Sequence, residues 1–319
     1  MRKLINFLFL CVLLFYLLAC WAETPQQTIY KVPYFTDTLP YPTRNPFTIK
    51  GIALGKQLFF DENLSANGQI ACATCHLPRF AFADTMPLTD KGLSKQKLSR
   101  NTPTLLNLAW ANQGLFWDGG ARDLESLMFA PIAHANEMGQ NLNELPSKLK
   151  QKQGYQNLFK QAFQKDTITN TLIARALAQY VRTLVADSSL YDDFMRKKTQ
   201  LTGLEEKGQE IFNQQCQSCH LPPFFTDFGF HQIQKSKNIT FTNNPLEDFS
   251  SGRFRITGDS ADIGKFKTPT LRNLKLTAPY LHNGSAKTIG EAIQTHENIK
   301  IPTTKMDFLL AFLNTLNEQ

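Results

Sequence analysis

Cys72-Ala-Thr-Cys75-His76 and Cys216-Gln-Ser-Cys219-His220 are the two stretches on which the reading of this chain turns. Both are C-x-x-C-H, the attachment signature of a c-type haem. The spacing has a physical reason. On one helical turn the two sulfurs reach the two porphyrin vinyl groups to form thioethers, and the adjacent imidazole comes under the iron as proximal ligand. Two structural disulfides, a zinc site or a pair of thioredoxin-like centres are the competing readings. A C-x-x-C loop is short and strained for a disulfide, and nothing in these readings requires a His after each pair. The motifs lie about one domain length apart, which predicts one haem at the centre of each of two domains.

Working outward, the 319 residues suffice for about two domains. With 42% apolar and 19% charged residues the composition is that of a folded globular chain, which excludes a disordered chain, a collagen-like repeat and a coiled coil. Residues 4–22 follow a basic start and contain a single polar residue, Asn6, so they read as a secretory signal or a membrane anchor. The core ends in Leu17-Leu18-Ala19-Cys20, which resembles a bacterial lipoprotein signal cleaved before Cys20; an uncleaved anchor and a plain cleaved signal are the alternatives. Export follows from each. Removing Arg2 and Lys3 with the signal lowers the formal charge from +7 to about +5. So mild an excess gives no case for nucleic acid, and an acidic protein partner suits it at least as well. The domain reading is therefore residues 1–19 signal, 20–45 a Pro- and Thr-rich linker, 46–195 a first haem domain and 196–319 a second.

Helical periodicity dominates the rest. Residues 167–186 place Ile173, Leu177, Tyr180, Val181 and Leu184 on one stripe, and residues 153–164 do the same with Tyr155, Leu158, Phe159 and Phe163. Thr202-Gly-Leu-Glu205 is a capping box that opens a helix running into the second motif, and residues 303–316 form an amphipathic terminal helix. Strand signals are sparse and short. The fold class expected is all-α, two tandem cytochrome c-type haem domains.

The residues around both motifs carry a resemblance. Leu54-Gly55 and Leu58-Phe-Phe-Asp61 precede the first; Asn101-Thr-Pro-Thr-Leu-Leu-Asn107, Phe116-Trp-Asp-Gly119, Pro131 and Glu137-Met-Gly139 follow it. After the second come Phe228 to His231, Gly264-Lys-Phe-Lys-Thr-Pro-Thr-Leu-Arg-Asn273 and Thr277-Ala-Pro-Tyr-Leu-His-Asn-Gly284. In this order they resemble the bacterial di-haem cytochrome c peroxidase family, including its MauG-type branch, over roughly residues 46–316. The resemblance implies that the haem on Cys72, Cys75 and His76 meets hydrogen peroxide and the haem on Cys216, Cys219 and His220 is a six-coordinate electron relay. It implies Glu137 as the acid that moves a proton between peroxide oxygens, with His134 a weaker rival, and Trp117 as a relay between the haems. It also implies one calcium ion on the Asn101 side chain and the Thr277 and Pro279 carbonyls, and Arg100, Arg272 and His282 as partners of the haem propionates.

Two departures from the family pattern are informative. Many members close the first iron with a His in the loop before Asn101, whereas residues 77–133 here contain no His. A first haem open in the ferric state is expected, with Met86 the one substitute ligand. At the second haem, the place of Met or Tyr is held by His296, so His/His ligation and a lowered potential are expected, with His282 and Met306 as fallbacks. The function expected is peroxide reduction fed by a small donor, a cytochrome c or cupredoxin. The alternatives are MauG-like peroxide-driven oxidation of a protein substrate and a non-catalytic dihaem carrier. A periplasmic site, a membrane tether through the N-terminus and a homodimer complete the expectations.

Overall fold

The computed structural model describes residues 38–234 and 249–318. The signal and lipoprotein readings, with Cys11 and Cys20, lie outside the described residues. Among those described, no helix is long and apolar enough to cross a membrane.

Helices make up nearly all the regular structure: α1 Ile49–Phe59, α2 Cys72–Cys75, α3 Leu124–Leu127, α4 Phe129–Ala133, α5 Leu145–Lys150, α6 Tyr155–Phe163, α7 Asn170–Arg182, α8 Leu190–Met195, α9 Gly203–Gln215, α10 Phe254–Thr257, α11 Ile289–Gln294 and α12 Thr303–Asn314. The strands β1 Phe230–His231 and β2 Phe266–Lys267 form one short antiparallel pair, with His231 opposite Phe266. The expected helices are thus α6, α7, α9 and α12, and the helix-rich, sheet-poor class agrees with the all-α expectation.

Burial sorts these elements into two large apolar clusters. The first runs from Leu54 to Ala186 and centres on α1 against α7. The second runs from Tyr191 to Leu316 and centres on α9 against α12. The change between them falls between Ala186 and Tyr191, ahead of residue 195, because Tyr191 packs edge-on to Phe225 and Phe312.

Each central crossing depends on a glycine. A Cβ on Gly55 would sit 1.9 Å from the Ala176 carbonyl oxygen, and one on Gly208 would sit 2.0 Å from that of Phe308. Both distances are far inside van der Waals contact, so only hydrogen lets the backbones approach. The capping box reads true: Glu205 N–H donates to Thr202 Oγ1 at 3.4 Å, and Thr202 N–H to Glu205 Oε2 at 2.7 Å. Each cluster also encloses one bidentate ion pair, Arg182 on Glu125 at 2.8 and 2.7 Å and Arg272 on Asp192 at 2.8 and 2.7 Å. Burial pushes the Asp192 carboxyl up, and Arg272 overrides it and holds the group below the usual carboxylate range.

The linker reading needs correcting at its end. From Leu39 onward the segment is docked: Leu39 and Phe47 pack with Trp110 and Val185, and Asn45 donates to Glu125 Oε1 at 2.6 Å while accepting from Gln179 at 2.9 Å. Glu125 and Gln179 are buried polar groups that need these partners.

A repeat relates the clusters. Thr102-Pro-Thr-Leu-Leu-Asn-Leu108 and Thr268-Pro-Thr-Leu-Arg-Asn-Leu274 run alike. Asn107 and Asn273 take left-handed φ of 61° and 59° and open equivalent 3-10 turns. Leu115 then bridges to Ala121 as Tyr280 does to Ala286, and Asp123 and Thr288 cap α3 and α11.

Replacing Gly208 by Ala is expected to drive α9 and α12 apart and to cost about 1–3 kcal/mol, the usual penalty of overpacking. A guanidinium unfolding curve of the holoprotein, followed by far-ultraviolet circular dichroism, gives the shift in midpoint.

Candidate functional site

In the first motif, Cys72–Cys75 is a single turn of helix and His76 is its C-cap. The His76 Nδ1–H donates to the Phe82 carbonyl at 2.9 Å. That bond fixes the tautomer and leaves Nε2 as the atom that can bind a metal. Ala81 and Phe82 both take positive φ, 53° and 57°, to bring this carbonyl under the ring.

The second motif is built alike. His220 Nδ1–H donates to the Phe225 carbonyl at 3.1 Å, and Phe225 too has a positive φ of 54°. Burial pushes the His220 imidazole down to about 4, against the effect of the Phe225 carbonyl, and the nearby His296 adds to the lowering. His296 lies just beyond α11, with Nδ1 donating to the Ala292 carbonyl at 2.9 Å and its neighbour Glu297 pinned to Ile233 O at 3.0 Å. His220 and His296 are therefore within electrostatic reach of each other, each with Nε2 free of its carbonyl anchor. The fallbacks differ: His282 Nδ1 accepts from Arg100 at 3.0 Å and its ring stacks on Phe266, and Met306 sits on α12.

The four thiols are unpaired. Burial raises Cys72 and Cys75 to about 12 and Cys216 to about 11. Redox C-x-x-C centres need the opposite, a lowered thiol pKa, which disfavours the thioredoxin-like reading.

Glu137 sits on a tight turn after α4. Its N–H and that of Gly139 both donate to His134 O, at 2.9 and 3.0 Å, and the Ala66 N–H holds Met138 O at 2.9 Å. The loop 89–99 lies against this turn: the Leu93 N–H donates to Glu137 O at 2.7 Å, and a Cβ on Gly92 would meet Asn136 O at 1.8 Å. The Glu137 carboxyl acts on both Cys72 and Cys75, which places it beside the first motif. Burial raises its pKa, and His134, with Nδ1 3.5 Å from Oε1, opposes the rise. Met86 is 41% exposed.

Between the clusters lies a junction. Trp117 Nε1–H donates to Asn101 O at 2.8 Å, the Asn101 N–H to His282 O at 2.7 Å, and the Lys267 N–H to Trp117 O at 2.8 Å. Asn101 Nδ2 donates to Pro279 O at 2.7 Å, while its Oδ1 is buried without a hydrogen-bond partner. Thr277 closes the 3-10 turn two residues before Pro279. Arg100 stacks on Phe266 and donates to the Phe249 carbonyl. Arg272 does not share this junction: it is fully buried on Asp192 and the Pro223 carbonyl, which makes it a structural residue rather than a propionate partner.

Two acids escaped the sequence reading. Asp84 pairs with Lys91 at 2.6 Å and Asp227 with His231 at 2.6 Å. Their signal is the repeated Phe82-Ala-Asp84 and Phe225-Thr-Asp227, in which the Phe supplies the carbonyl that anchors the motif histidine. Among the described residues no group of three or more His, Cys, Asp or Glu could hold a metal ion.

A family model described as "Di-haem cytochrome c peroxidase" matches residues 49–200. The methylamine utilization protein MauG of Methylophilus methylotrophus is 36% identical over 284 residues, covering 87% of this chain and 80% of its own. The cytochrome c551 peroxidase of Nitrosomonas europaea is 35% identical over 269 residues, covering 82% and 78%. Among solved structures, a MauG-like protein associated with microbial copper homeostasis superposes with a TM-score of 0.81 at 27% identity, covering 91% and 95%.

The junction histidine makes a pH dependence. Burial, aided by Arg100, lowers the His282 pKa to about 3, against about 6.5 in an unfolded chain. Between those values the unfolded state binds the extra proton. The stability due to neutral His282 is therefore complete above about pH 6.5 and is lost as the pH falls toward 3. Thermal unfolding midpoints between pH 8 and pH 4 are expected to fall further for the wild-type holoprotein than for a His282→Asn variant.

Proposed function

The chain belongs to the di-haem cytochrome c peroxidase family, and from that premise we propose that it reduces hydrogen peroxide to water at the Cys72–His76 site. Electrons come through the Cys216–His220 site from a small redox protein, a cytochrome c or a cupredoxin. The observation that carries this reading is the asymmetry of two otherwise matched sites. Both hold a motif histidine by Nδ1 on a backbone carbonyl; the first has the Glu137 carboxyl beside it, and the second has a further imidazole, His296.

The residues fit two c-type haems. Each thiol pair lies on one turn, with an imidazole Nε2 presented beside it, and His296 is the second ligand at the relay site. When bound, the first haem supplies the electrons that break the O–O bond. Glu137 takes a proton from one peroxide oxygen and returns it to the other, a task for which a carboxyl with a raised pKa is suited. Trp117 joins the two halves, since its indole N–H and its carbonyl are bonded to opposite sides of the junction. Asn101 Oδ1, a buried acceptor lacking a donor, suits a hard cation; the neighbouring Pro279 carbonyl, the Thr277 carbonyl and water would complete the shell of one calcium ion. The two apolar clusters, Leu54 to Ala186 and Tyr191 to Leu316, are read as the cores of the two haem domains. The chain is placed in the periplasm, tethered as a lipoprotein through Cys20.

A second reading, peroxide-driven oxidation of a protein substrate as in the MauG branch, is favoured by the loop 89–99. It lies on the Glu137 turn and carries no His, Met or Cys, the side chains that ligate haem iron most readily. A dihaem electron carrier has no use for an acid at Glu137.

Adding one equivalent of hydrogen peroxide to the ferric holoprotein, without reductant, tests the open site by stopped-flow spectroscopy and freeze-quenched EPR. Changes at both haems within milliseconds are expected; no change until one electron is supplied would show a ligand closing the first iron. A His296→Met variant is expected to raise the second haem's potential, because thioether ligation favours the reduced state. An unchanged potential in a spectroelectrochemical titration would remove His296 from the ligand set.

A further inference from the structure

Reducing one hydrogen peroxide to two waters consumes two electrons and two protons. The donor protein supplies the electrons, and solvent must supply the protons to the Glu137 side of the site. The turn that carries Glu137 brings one titratable side chain within 3.5 Å of its Oε1, the His134 Nδ1. The His134 side chain is 49% exposed, so its imidazole meets solvent. The backbone keeps it there: His134 O accepts the N–H of Glu137 and of Gly139, which makes His134 the closing residue of the turn itself.

Other charged groups around the turn are engaged elsewhere. From the preceding loop, Lys91 Nζ is held by Asp84 Oδ1 at 2.6 Å, and both act on Cys75. From α5, Lys148 Nζ is held by Ser65 O and Gln140 Oε1 at 2.5 and 3.2 Å. From α2, Cys72 and Cys75 face Glu137 as the haem-attaching sulfurs. Leu93 brings no charge: it gives its N–H to Glu137 O and packs its side chain against Gly139.

We propose that His134 is the positioning residue that feeds protons from solvent to Glu137. The step is a plain proton transfer: the protonated imidazole gives its Nδ1 proton to Glu137 Oε1, directly or through one water, and takes another from solvent. No electron moves in it. Histidine suits the task because its ring nitrogens can both give and take a proton, and in its charged form it also draws Glu137 toward the carboxylate. The proposal rests on the reading of Glu137 as the proton-moving acid.

Three variants of the ferric holoprotein separate the two ideas: His134→Gln, Glu137→Gln and the pair together. With His134→Gln, the rate of reaction with hydrogen peroxide at pH 7.5 is expected to fall about tenfold, less than the roughly 10²–10⁴-fold that a proton-transfer group at the reacting atoms contributes. The rate is also expected to rise with the concentration of morpholinoethanesulfonate, a buffer acid that does not bind haem iron, while the wild type stays insensitive. Independently of turnover, the infrared carboxyl band of Glu137 is expected to titrate at higher pH in His134→Gln, because an opposing positive charge has been removed. The double variant should be no slower than Glu137→Gln. A His134→Gln protein with wild-type rate and buffer insensitivity overturns the proposal and leaves Glu137 standing. A Glu137→Gln protein with wild-type rate overturns both.

Discussion

An imidazole can serve a metal only if its tautomer is settled, and the backbone around all three candidate ligands is arranged to settle it. His76, His220 and His296 each give Nδ1–H to a carbonyl, of Phe82, Phe225 and Ala292. Two of these carbonyls, of Phe82 and Phe225, belong to residues held in the left-handed region, a conformation that an ordinary side chain adopts at a cost. The loop after each motif is therefore shaped by the histidine rather than by packing alone. The Thr-Pro-Thr segments complete the shape, since Thr104 and Thr270 donate their hydroxyls to Ala81 O and Phe224 O in the same loops. Much of the repeat between the two halves follows from this one demand, met twice.

Where the halves differ, they differ on the side away from the anchor. After α11 the chain presents His296; after α4 it turns back on itself to present Glu137 and covers that turn with the loop 89–99. In the proposed scheme a carboxyl with a raised pKa handles protons at one site, and a paired imidazole fills the coordination of the other. Trp117 is bonded to both halves, through its indole N–H to Asn101 O and through its backbone carbonyl to the Lys267 N–H. The cationic and aromatic stack of Arg100, Phe266 and His282 stiffens this contact, and a neutral His282 is the form that accepts from Arg100.

The sequence carried the helix-rich class, the principal helices and the motif residues because each has a local signature: a 3.6-residue stripe, a capping box, a fixed Cys spacing. What it withheld is non-local. Asn45 reads as linker, yet it closes the hydrogen-bond requirements of Glu125 and Gln179, which lie far away in the chain. Arg272 sits in a family motif, and by motif position alone it passes for a propionate partner; only its enclosure with Asp192 shows that it is structural. Asp84 and Asp227 were within reach of the sequence as the repeated Phe-x-Asp, but a two-residue echo gains meaning only when the Phe carbonyls are seen under the histidines.

Glu137 also shows why exposure and burial are not opposites at such a site. The carboxyl is a third exposed, yet burial is the larger influence on its proton affinity. A group at the mouth of an apolar surface can hold its proton more tightly than a free carboxylate and still meet solvent through one neighbour. That combination is what a repeated proton transfer needs: a fully buried acid cannot be resupplied, and a fully solvated one holds its proton too weakly. The turn closed by His134 gives Glu137 the intermediate position, and the Leu93 and Ala66 hydrogen bonds to the carbonyls of Glu137 and Met138 fix the backbone of that turn.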